Sequence, residues 1–353
     1  MNSPFWSAFV NSIVPYIPGE QPKISNIIKL NTNENAYGVS PNVSNALKQA
    51  IGDNLKLYPD PTAGQLRQEL GRLHKVNEDC IFIGNGSDEV LGFAFHALLK
   101  HNKPVLFPDI TYSFYPVYCR LFDISFHCIP LNDSFEINLQ DYQNREACGI
   151  VITNPNAPTG ILLKSNSIAN YLDTHPHQLV IVDEAYIDFG GETVIPFVKK
   201  YPNLLVVRTF SKFYSLAGLR VGYAVGQPDL IEGIVRVKDS FNSYPLDYMA
   251  QIGAVAAVKD IQWSINNARS IIKNRKNLID ALNQLGFQTL DSKANFIFTS
   301  HPLHEGKKIA NYLRDNKILI RHFDSPRIKN WLRITIGNAE ECKRLIEALA
   351  QMN

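Results

Sequence analysis

The sequence lacks the features that would direct a protein to a membrane or to nucleic acid. Its 353 residues include 35 Lys and Arg against 33 Asp and Glu, and this net charge of +2 gives no general attraction to nucleic acid or anionic lipid. No apolar run is long enough to cross a bilayer. No Lys or Arg precedes Lys23, so the basic start of a secretory signal is missing. We therefore expect a cytoplasmic protein that binds neither membrane nor nucleic acid.

Cysteine pairs and metal-binding patterns are also missing. The five cysteines are odd in number and form no CxxC pair, so we expect reduced thiols. His301 and His304 form an HxxH without an acidic or cysteine partner nearby, and we predict no metal site. The sequence has no GxxxxGK[ST], and its GNGSDE string lacks the third glycine of GxGxxG. These absences argue against a P-loop nucleotidase and a dinucleotide-binding enzyme.

The chain instead shows an α/β rhythm followed by a change in composition. From Cys80 onward, short apolar runs alternate with helical segments, which predicts a largely parallel sheet covered on both faces. The runs are CIFIG, PVLFP, ISFHCIPL, GIVIT, Leu179–Val182, Leu204–Val207 and Leu219–Val225. After Tyr244-Pro245, two helices and three short strands predict a smaller α+β unit. We expect an arm at residues 1–30, a large domain at 31–250 and a small domain at 251–353.

One lysine stands in the middle of LLVVRTFSKFYSLAGLRVGYAVG, residues 204–226. Lys212 lies between two apolar runs, where a free ammonium is costly, so it must be solvated, paired or covalently used. Thr209, Ser211 and Arg220 flank it with donors suited to a phosphate. An amine beside a phosphate site is what a phosphate-bearing Schiff-base cofactor, such as pyridoxal phosphate, needs. The stretch also fits a strand-loop-strand with an exposed lysine.

Polar residues follow other predicted strands at their carboxyl ends, where open parallel sheets bind ligands. Gly86, Ser87 and Asp88 begin a helix whose backbone N–H groups would face an anion, although Ser87 could simply cap that helix. In NPNAPTG, Asn156 could direct its amide at a ligand oxygen or complete its own turn. The two prolines of this motif could also bring a cis peptide.

A second group of candidates combines a carboxylate, aromatic rings and arginines. Asp183 ends the strand of IVDEAYIDF, and a carboxylate buried there needs a positive partner such as a pyridinium nitrogen. Tyr186 could then bind the ring hydroxyl. Tyr112 opens the next predicted helix and could stack on a cofactor ring or belong to the core. Arg321 and Arg333 could be surface residues or an anion trap in an interdomain cleft.

The order of these motifs along the chain resembles that of the fold-type I pyridoxal-phosphate-dependent aminotransferases. The motifs are the Gly86-Ser87-Asp88 loop, Tyr112, NPNAPTG, DEAY, SKxxxxAGLR and LRITIG. Within this group, the chain is most similar to the histidinol-phosphate aminotransferase family. Four segments carry the similarity: LNTNENAYG, LYPDP, RTFSKFYSLAGLRVGY and ILIRHFDSPRIKNWLRITIG. The similarity runs from PYIPGE to the last helix. It implies an α/β fold with a mostly parallel seven-stranded sheet between helices. It also implies a smaller α+β C-terminal domain with the arm packing near it.

The resemblance also implies a role for each site residue. Lys212 would bond to pyridoxal 5′-phosphate and move a proton at the substrate α-carbon. Asp183 would pair with the ring nitrogen, Asn156 and Tyr186 would bind the ring hydroxyl, and Tyr112 would stack on the ring. The cofactor phosphate would be held by Gly86, Ser87, Asp88, Thr209, Ser211 and Arg220. The substrate would be bound or covered by Tyr16, Asn35, Tyr37, Arg321 and Arg333.

The resemblance further implies a homodimer, because Tyr58 of LYPDP would reach the cofactor phosphate of the neighbouring subunit.

The leading activity that the resemblance implies is transamination between histidinol phosphate and 2-oxoglutarate in histidine biosynthesis. Aromatic amino-acid transamination and threonine-phosphate decarboxylation are alternatives on the same fold. A ligand-sensing domain without catalysis is a third, but it would need a DNA-binding module that the short arm cannot supply. Ala157, which stands where many relatives have asparagine, leaves Asn156 in place. The variable segment at His322-Phe323 leaves the substrate range open.

Overall fold

The computed structural model describes residues 3–21 and 26–352 of the chain. Of the predicted arm, residues 1, 2 and 22–25 lie outside the described residues. The strands are β1 Ile28–Leu30, β2 Ile81–Asn85, β3 Val105–Pro108, β4 Phe126–Ile129, β5 Gly149–Thr153, β6 Leu179–Asp183, β7 Leu204–Thr209, β8 Val221–Val225, β9 Gln288–Thr289, β10 Phe296–Ser300, β11 Ile318–His322 and β12 Trp331–Thr335. The α-helices are α1 Pro41–Ala50, α2 Gly64–His74, α3 Gly86–Leu98, α4 Tyr115–Leu121, α5 Ser165–Thr174, α6 Pro228–Phe241, α7 Tyr248–Lys259, α8 Ile261–Gln284, α9 Gly306–Asp315 and α10 Ala339–Ala350.

The seven predicted strands form one sheet in the order β2-β8-β7-β6-β5-β3-β4. Strand β8 runs antiparallel to both of its neighbours, and the other pairs are parallel. Every residue of β5, β6, β7 and β8 is buried, as continuous apolar runs predict for strands covered on two faces. The predicted fold class, a mostly parallel seven-stranded sheet, is confirmed.

Helix starts near the sheet edge follow local chemistry, and two of them correct our expectations. Helix α1 begins at Pro41, with the Ser40 hydroxyl accepting a hydrogen bond from the Val43 N–H at 3.1 Å, as predicted. Helix α3 begins at Gly86, so Ser87 lies inside its first turn and is not its cap. Helix α4 begins at Tyr115 rather than Tyr112, because Pro116 sets its first turn.

The smaller sheet has the order β1-β11-β12-β10-β9 and combines the two ends of the chain. Strand β1, from the predicted arm, pairs in parallel with β11, with Ile28 opposite Ile318. Strands β11 and β12 are antiparallel, and Arg321 lies directly opposite Arg333. This pairing places the two arginines next to each other on one sheet.

The main apolar core runs beneath both sheets without a break. It contains strand residues of the large sheet, such as Ile152 and Val206, and of the small sheet, such as Ile320 and Ile334. A second cluster packs α3 and α6 on the other face of the large sheet, around Phe95 and Val207. Within residues 3–21 and 26–352, no helix has both the length and the hydropathy that a membrane span requires.

Candidate active site

A cavity of about 290 Å³ lies where the carboxyl ends of the large sheet's strands face the small sheet. Twelve of the predicted site residues line it: Tyr16, Ser87, Asp88, Tyr112, Asp183, Tyr186, Thr209, Ser211, Lys212, Arg220, Arg321 and Arg333. They come from the arm, both sheets and the intervening loops. The structure therefore brings together residues that lie more than 300 positions apart in the sequence.

Lys212 follows β7 and points its amine into this cavity. Its Nζ donates to the Thr32 carbonyl at 3.3 Å. Removal from water, reinforced by the positive charge of Arg333, lowers the pKa of Lys212 to about 8. The Asn35 amide donates to the Lys212 carbonyl at 2.9 Å and so fixes the backbone of the lysine. A lysine with this pKa has a substantial neutral fraction near physiological pH, as a nucleophilic amine requires.

Asp183 lies at the end of β6 and is 4 % exposed. Its carboxylate accepts hydrogen bonds from the Tyr115 hydroxyl at 3.0 Å and from the Ala185 N–H at 3.1 Å. Burial raises the pKa of Asp183 to about 6, and these two donors only partly offset the shift. In the described part of the chain, no cationic side chain forms an ion pair with it. The site therefore suits a cationic ring nitrogen, which would supply the missing positive partner.

The start of α3 and the loop before β8 form a cradle for an anion. Gly86 has a φ of 83°, and a Cβ at this position would collide with the Arg220 guanidinium. A Cβ on Gly222 would likewise collide with the peptide that joins Gly86 to Ser87. Arg220 donates to the Ser211 hydroxyl at 3.4 Å. Backbone N–H groups, a guanidinium and hydroxyls thus converge where a phosphate would bind.

Asp88 belongs to this cradle in a different way from its neighbours. Its carboxylate accepts from the Tyr112 hydroxyl at 2.7 Å and from the Arg220 guanidinium at 3.0 Å. A carboxylate repels a phosphate, so Asp88 can contribute to phosphate binding only through its backbone N–H at the helix N-terminus. The side chain instead orients Arg220 and Tyr112.

Aromatic rings form one wall of the cavity. Tyr16, from the arm, stacks on Phe114 with ring centroids 4.7 Å apart and lies 6.4 Å from the Tyr112 ring. Tyr112 also meets Tyr115 edge to face at 5.7 Å. The Tyr112 hydroxyl bond to Asp88 fixes the plane of its ring. A planar ligand ring between this wall and Asp183 would have an aromatic face to stack on.

Arg321 and Arg333 also line the cavity. Both guanidinium carbons lie over the Phe323 ring, at 5.5 and 5.8 Å from its centroid. One Arg333 nitrogen donates to the Asn31 carbonyl at 2.8 Å, while its buried Nε has no partner in the described part of the chain. Burial lowers the pKa of Arg333, which Tyr186 opposes and Arg321 reinforces. Two adjacent cations with an unused donor define a site for an anion.

Four predicted residues have side chains directed elsewhere. The Asn156 amide already donates to the Ile110 carbonyl at 2.9 Å and the Thr159 hydroxyl at 3.2 Å. Asn35 binds the backbone of Lys212, and the Tyr37 hydroxyl accepts from Asn274 at 3.3 Å. Tyr58 is 82 % exposed and stacks on Tyr244. Their predicted contacts with cofactor or substrate stay predictions.

Sequence reasoning missed three residues that support the predicted ones. Tyr115 donates to Asp183, and its hydroxyl also lies 2.6 Å from that of Thr153. Asn33 donates to the Tyr186 hydroxyl at 3.1 Å. The position of Thr153 at the end of β5 was the available signal, since β5 and β6 are adjacent and parallel. Tyr115 and Asn33 carried no such local signal.

The carboxyl end of this sheet combines a cavity lysine, a phosphate cradle and a buried carboxylate that no cation among the described residues neutralises. These features define a fold-type I pyridoxal-phosphate-dependent enzyme. The model of the family described as aminotransferase class I and II matches residues 25–349. The chain belongs to this family and, within it, to the histidinol-phosphate aminotransferase family.

The relatives that support this placement cover nearly the whole chain. The histidinol-phosphate aminotransferase of Gluconacetobacter diazotrophicus is 54 % identical over 98 % of this chain and 97 % of its own length. That of Pseudomonas syringae pv. syringae is 51 % identical over 99 % of this chain and 100 % of its own.

Solved structures agree on the fold. A histidinol-phosphate aminotransferase from Sinorhizobium meliloti, solved in complex with pyridoxal 5′-phosphate, has a TM-score of 0.88. It is 23 % identical and covers 99 % of this chain and 97 % of its own. An L-threonine-O-3-phosphate decarboxylase from Porphyromonas gingivalis has a TM-score of 0.77 at 24 % identity, over 92 % of this chain and 98 % of its own. At these identities the likeness concerns the fold alone.

Proposed function

We propose that the protein transfers an amino group between histidinol phosphate and 2-oxoglutarate, with pyridoxal 5′-phosphate as cofactor, in histidine biosynthesis. The observation that carries this proposal is the Arg321–Arg333 pair, which faces the same cavity as Lys212 and forms no ion pair with a carboxylate of the described residues. Such a pair can bind the phosphate of one substrate and the carboxylate of the other in turn, since both are anions that suit guanidinium. The 50 % or higher identity to histidinol-phosphate aminotransferases supports the same substrate.

The residues around the cavity have distinct proposed roles toward the cofactor. Lys212 would hold it covalently, and Asp183 would pair with its ring nitrogen. Asn156 and Tyr186 would bind the ring hydroxyl, with Tyr112 against the ring face. The backbone of Gly86, Ser87 and Asp88, together with Thr209, Ser211 and Arg220, would hold the phosphate. The buried carboxylate without a cation and the cradle closed by Gly86 and Gly222 support this placement.

When bound, the cofactor supplies an electron sink that acidifies the substrate α-carbon. Lys212 then acts as the base that removes and returns the proton at that carbon, because its neutral amine is accessible at a pKa near 8. Arg321 and Arg333 orient the substrate by its anionic end. Tyr16 and the aromatic wall exclude water from the reacting atoms. Asn35 acts through the Lys212 backbone, which fixes where the amine can reach.

We also propose a homodimer in which Tyr58 reaches the cofactor phosphate of the partner subunit. An exposed apolar patch supports this arrangement, because surfaces of this kind commonly bind a partner. It consists of Ile51, Leu55, Leu57, Tyr58, Phe241 and Tyr244.

We further propose a cytoplasmic location, in keeping with the five free cysteines. The division into residues 1–30, 31–250 and 251–353 is likewise a proposal, supported by the two separate sheets.

A half-reaction assay tests the substrate. The purified protein loaded with cofactor would be mixed separately with histidinol phosphate, phenylalanine, tyrosine or threonine phosphate, and loss of the cofactor's visible absorption followed. We expect histidinol phosphate to react with the highest efficiency. A faster reaction with phenylalanine or tyrosine would instead show an aromatic amino-acid aminotransferase. Release of carbon dioxide from threonine phosphate would show a decarboxylase. If none of the four amines reacts, the remaining interpretation is a ligand-sensing domain without catalysis.

A further inference from the structure

Asn33 is a buried residue whose polar groups all have partners. It is 1 % exposed and adopts a φ of 58°, a left-handed conformation that asparagine tolerates better than most residues. Its N–H donates to the Thr335 hydroxyl at 3.0 Å, and its side-chain oxygen accepts from the same hydroxyl at 3.2 Å. Its carbonyl accepts from the Asn295 amide at 3.0 Å. The loop that carries Asn33 is thus held by the small sheet.

The side-chain nitrogen of Asn33 connects this loop to the cavity. It donates to the Tyr186 hydroxyl at 3.1 Å. Since the tyrosine oxygen accepts this bond, its own proton remains available in another direction. Tyr186 lines the cavity, and its ring is held edge-on against Phe296 at 5.0 Å. The free proton can therefore point into the cavity.

The same strand of the small sheet also carries part of the anion site. Thr335 and Arg333 are two residues apart on β12, and Arg333 donates to the Asn31 carbonyl at 2.8 Å. Asn31 and Asn33 are likewise two residues apart. Strand β12 therefore holds the 31–33 segment at two points, one beside the substrate anion and one beside Tyr186.

We propose that Asn33 is a positioning residue: it holds the Tyr186 hydroxyl as an acceptor and thereby directs its proton to the ring oxygen of the bound cofactor. Thr335 fixes the Asn33 amide in the orientation that this requires. The inference rests on the proposed cofactor site and adds to it a residue of the cavity lining that acts through Tyr186. It also makes the small sheet responsible for a hydrogen bond on the cofactor ring.

The absorption of the lysine-bound cofactor reports this hydrogen bond. Loss of the proton from the Lys212–cofactor linkage leaves negative charge on the ring oxygen, and a donor to that oxygen favours the deprotonated form. Removing the donor should therefore raise the pH midpoint of the absorption change. Charged and titratable groups from every neighbouring element also face this linkage, and the variants leave them in place: Glu34, Asp88, Asp183, Arg220, Arg333 and Tyr16.

The test compares Asn33→Asp, Tyr186→Phe and the double variant as holoenzymes. Aspartate keeps the size of asparagine and its tolerance of a positive φ, but it replaces the donor with an acceptor that draws the tyrosine proton away. We expect both single variants to raise the midpoint by about one pH unit, the shift that one hydrogen bond is worth. In the Tyr186→Phe background, Asn33→Asp should add no further shift. Thr335→Ser, which keeps the hydroxyl, should leave the midpoint unchanged.

Each outcome has one meaning. A midpoint that Asn33→Asp leaves unchanged overturns the inference. A shift that persists fully in the Tyr186→Phe background also overturns it, because the new charge would then act directly on the linkage. If Asn33→Asp fails to fold, Thr335→Val replaces it: a smaller upward shift supports the inference, and no shift overturns it. If wild-type protein forms no visible band with pyridoxal phosphate, the proposed function itself fails.

Discussion

Two arginines, one on each sheet, have opposite surroundings. Arg208 on β7 is 6 % exposed and donates to both oxygens of Asp188, at 2.5 and 2.6 Å, with Glu184 at 3.5 Å. Arg333 on β12 faces the cavity and donates to one backbone carbonyl, and among the residues that the structure describes its Nε has no partner. Burial opposes the charge of Arg208, but Asp188 outweighs it and raises the pKa of Arg208. Burial lowers the pKa of Arg333.

The difference separates charge that belongs to the fold from charge that awaits a ligand. A buried ion is tolerated when carboxylates neutralise it, as at Arg208. Within the described residues, Arg321 and Arg333 lack such partners, so their neutralisation must come from outside the chain, whereas Arg220 already pairs with Asp88. We therefore expect substitutions on the cavity side to cost activity, and substitutions at Arg208 to cost stability.

The largest effect is expected for Lys212→Ala. Loss of the covalent anchor and of the base should lower turnover by about 10⁴-fold or more while the protein stays folded. Steady-state transamination and a thermal unfolding curve measure the two quantities. Lys200→Ala, which removes an exposed lysine paired with Asp173, is the matched control and should keep full activity. Normal turnover by Lys212→Ala would remove the catalytic assignment.

The stability side of the comparison is tested by Arg208→Met. It would leave Glu184 buried beside Asp188 without a cation, at a cost of about 3–5 kcal/mol in the free energy of unfolding. Arg333→Met loses one hydrogen bond and, over residues 3–21 and 26–352, no ion pair, so about 1 kcal/mol is expected. Urea unfolding of the cofactor-free proteins measures both. Equal destabilisation by the two variants would contradict the distinction.

The activity side is tested by the same Arg333→Met variant. Loss of a desolvated cation opposite the substrate anion should lower kcat/KM roughly 10²- to 10³-fold. Arg333→Lys keeps the charge but loses the planar guanidinium, so its kcat/KM should lie between those of the wild type and of Arg333→Met. Initial rates with histidinol phosphate give these values. An efficiency within twofold of wild type for Arg333→Met would place the anion elsewhere.

The smallest effect concerns pH. Only the neutral Lys212 amine can attack an aldehyde, so incorporation of pyridoxal phosphate into the cofactor-free protein should speed up with pH and level off above about 8. Below that midpoint the rate should fall about tenfold per pH unit. Stopped-flow absorbance measures the rate. An incorporation rate that does not change between pH 6 and 8 would contradict the lowered pKa of Lys212.

The same shift has a consequence for stability with a definite sign. The folded pKa of Lys212 lies below the unfolded value of about 10.4, so the unfolded state binds more protons between these values. Stability of the cofactor-free protein should therefore rise from about pH 8 to about pH 10.4 through this group. Lys212→Ala should lack that part of the rise in urea midpoints.

Sequence patterns were sufficient where a residue's position depends on its own strand. Asp183 and Lys212 lie at or just beyond the ends of β6 and β7, and continuous apolar runs identify those strands without further information. Adjacent parallel strands then bring their ends together by geometry alone. The position of the cavity followed from that reasoning.

Patterns failed where the partner lies far away in the sequence. Asn33 meets Tyr186 only because β12 holds its loop against the large sheet. Nothing near either residue encodes that contact. Tyr115 was placed inside a helix that we expected to start at Tyr112, although Pro116 marks the observed start. The proline in the first turn of α4 carried more information about the helix start than the aromatic residue before it.

The pairing of β1 with β11 also affects biosynthesis. Ile28 leaves the ribosome early, but its neighbour in the sheet is Ile318, about 290 residues later. At typical translation speeds of about 5–20 residues per second, the early strand waits roughly 15 to 60 seconds for its partner. A gene fragment that starts at codon 251 would likewise encode a sheet with an unpaired edge at Ile318–Ile320, a surface prone to aggregation.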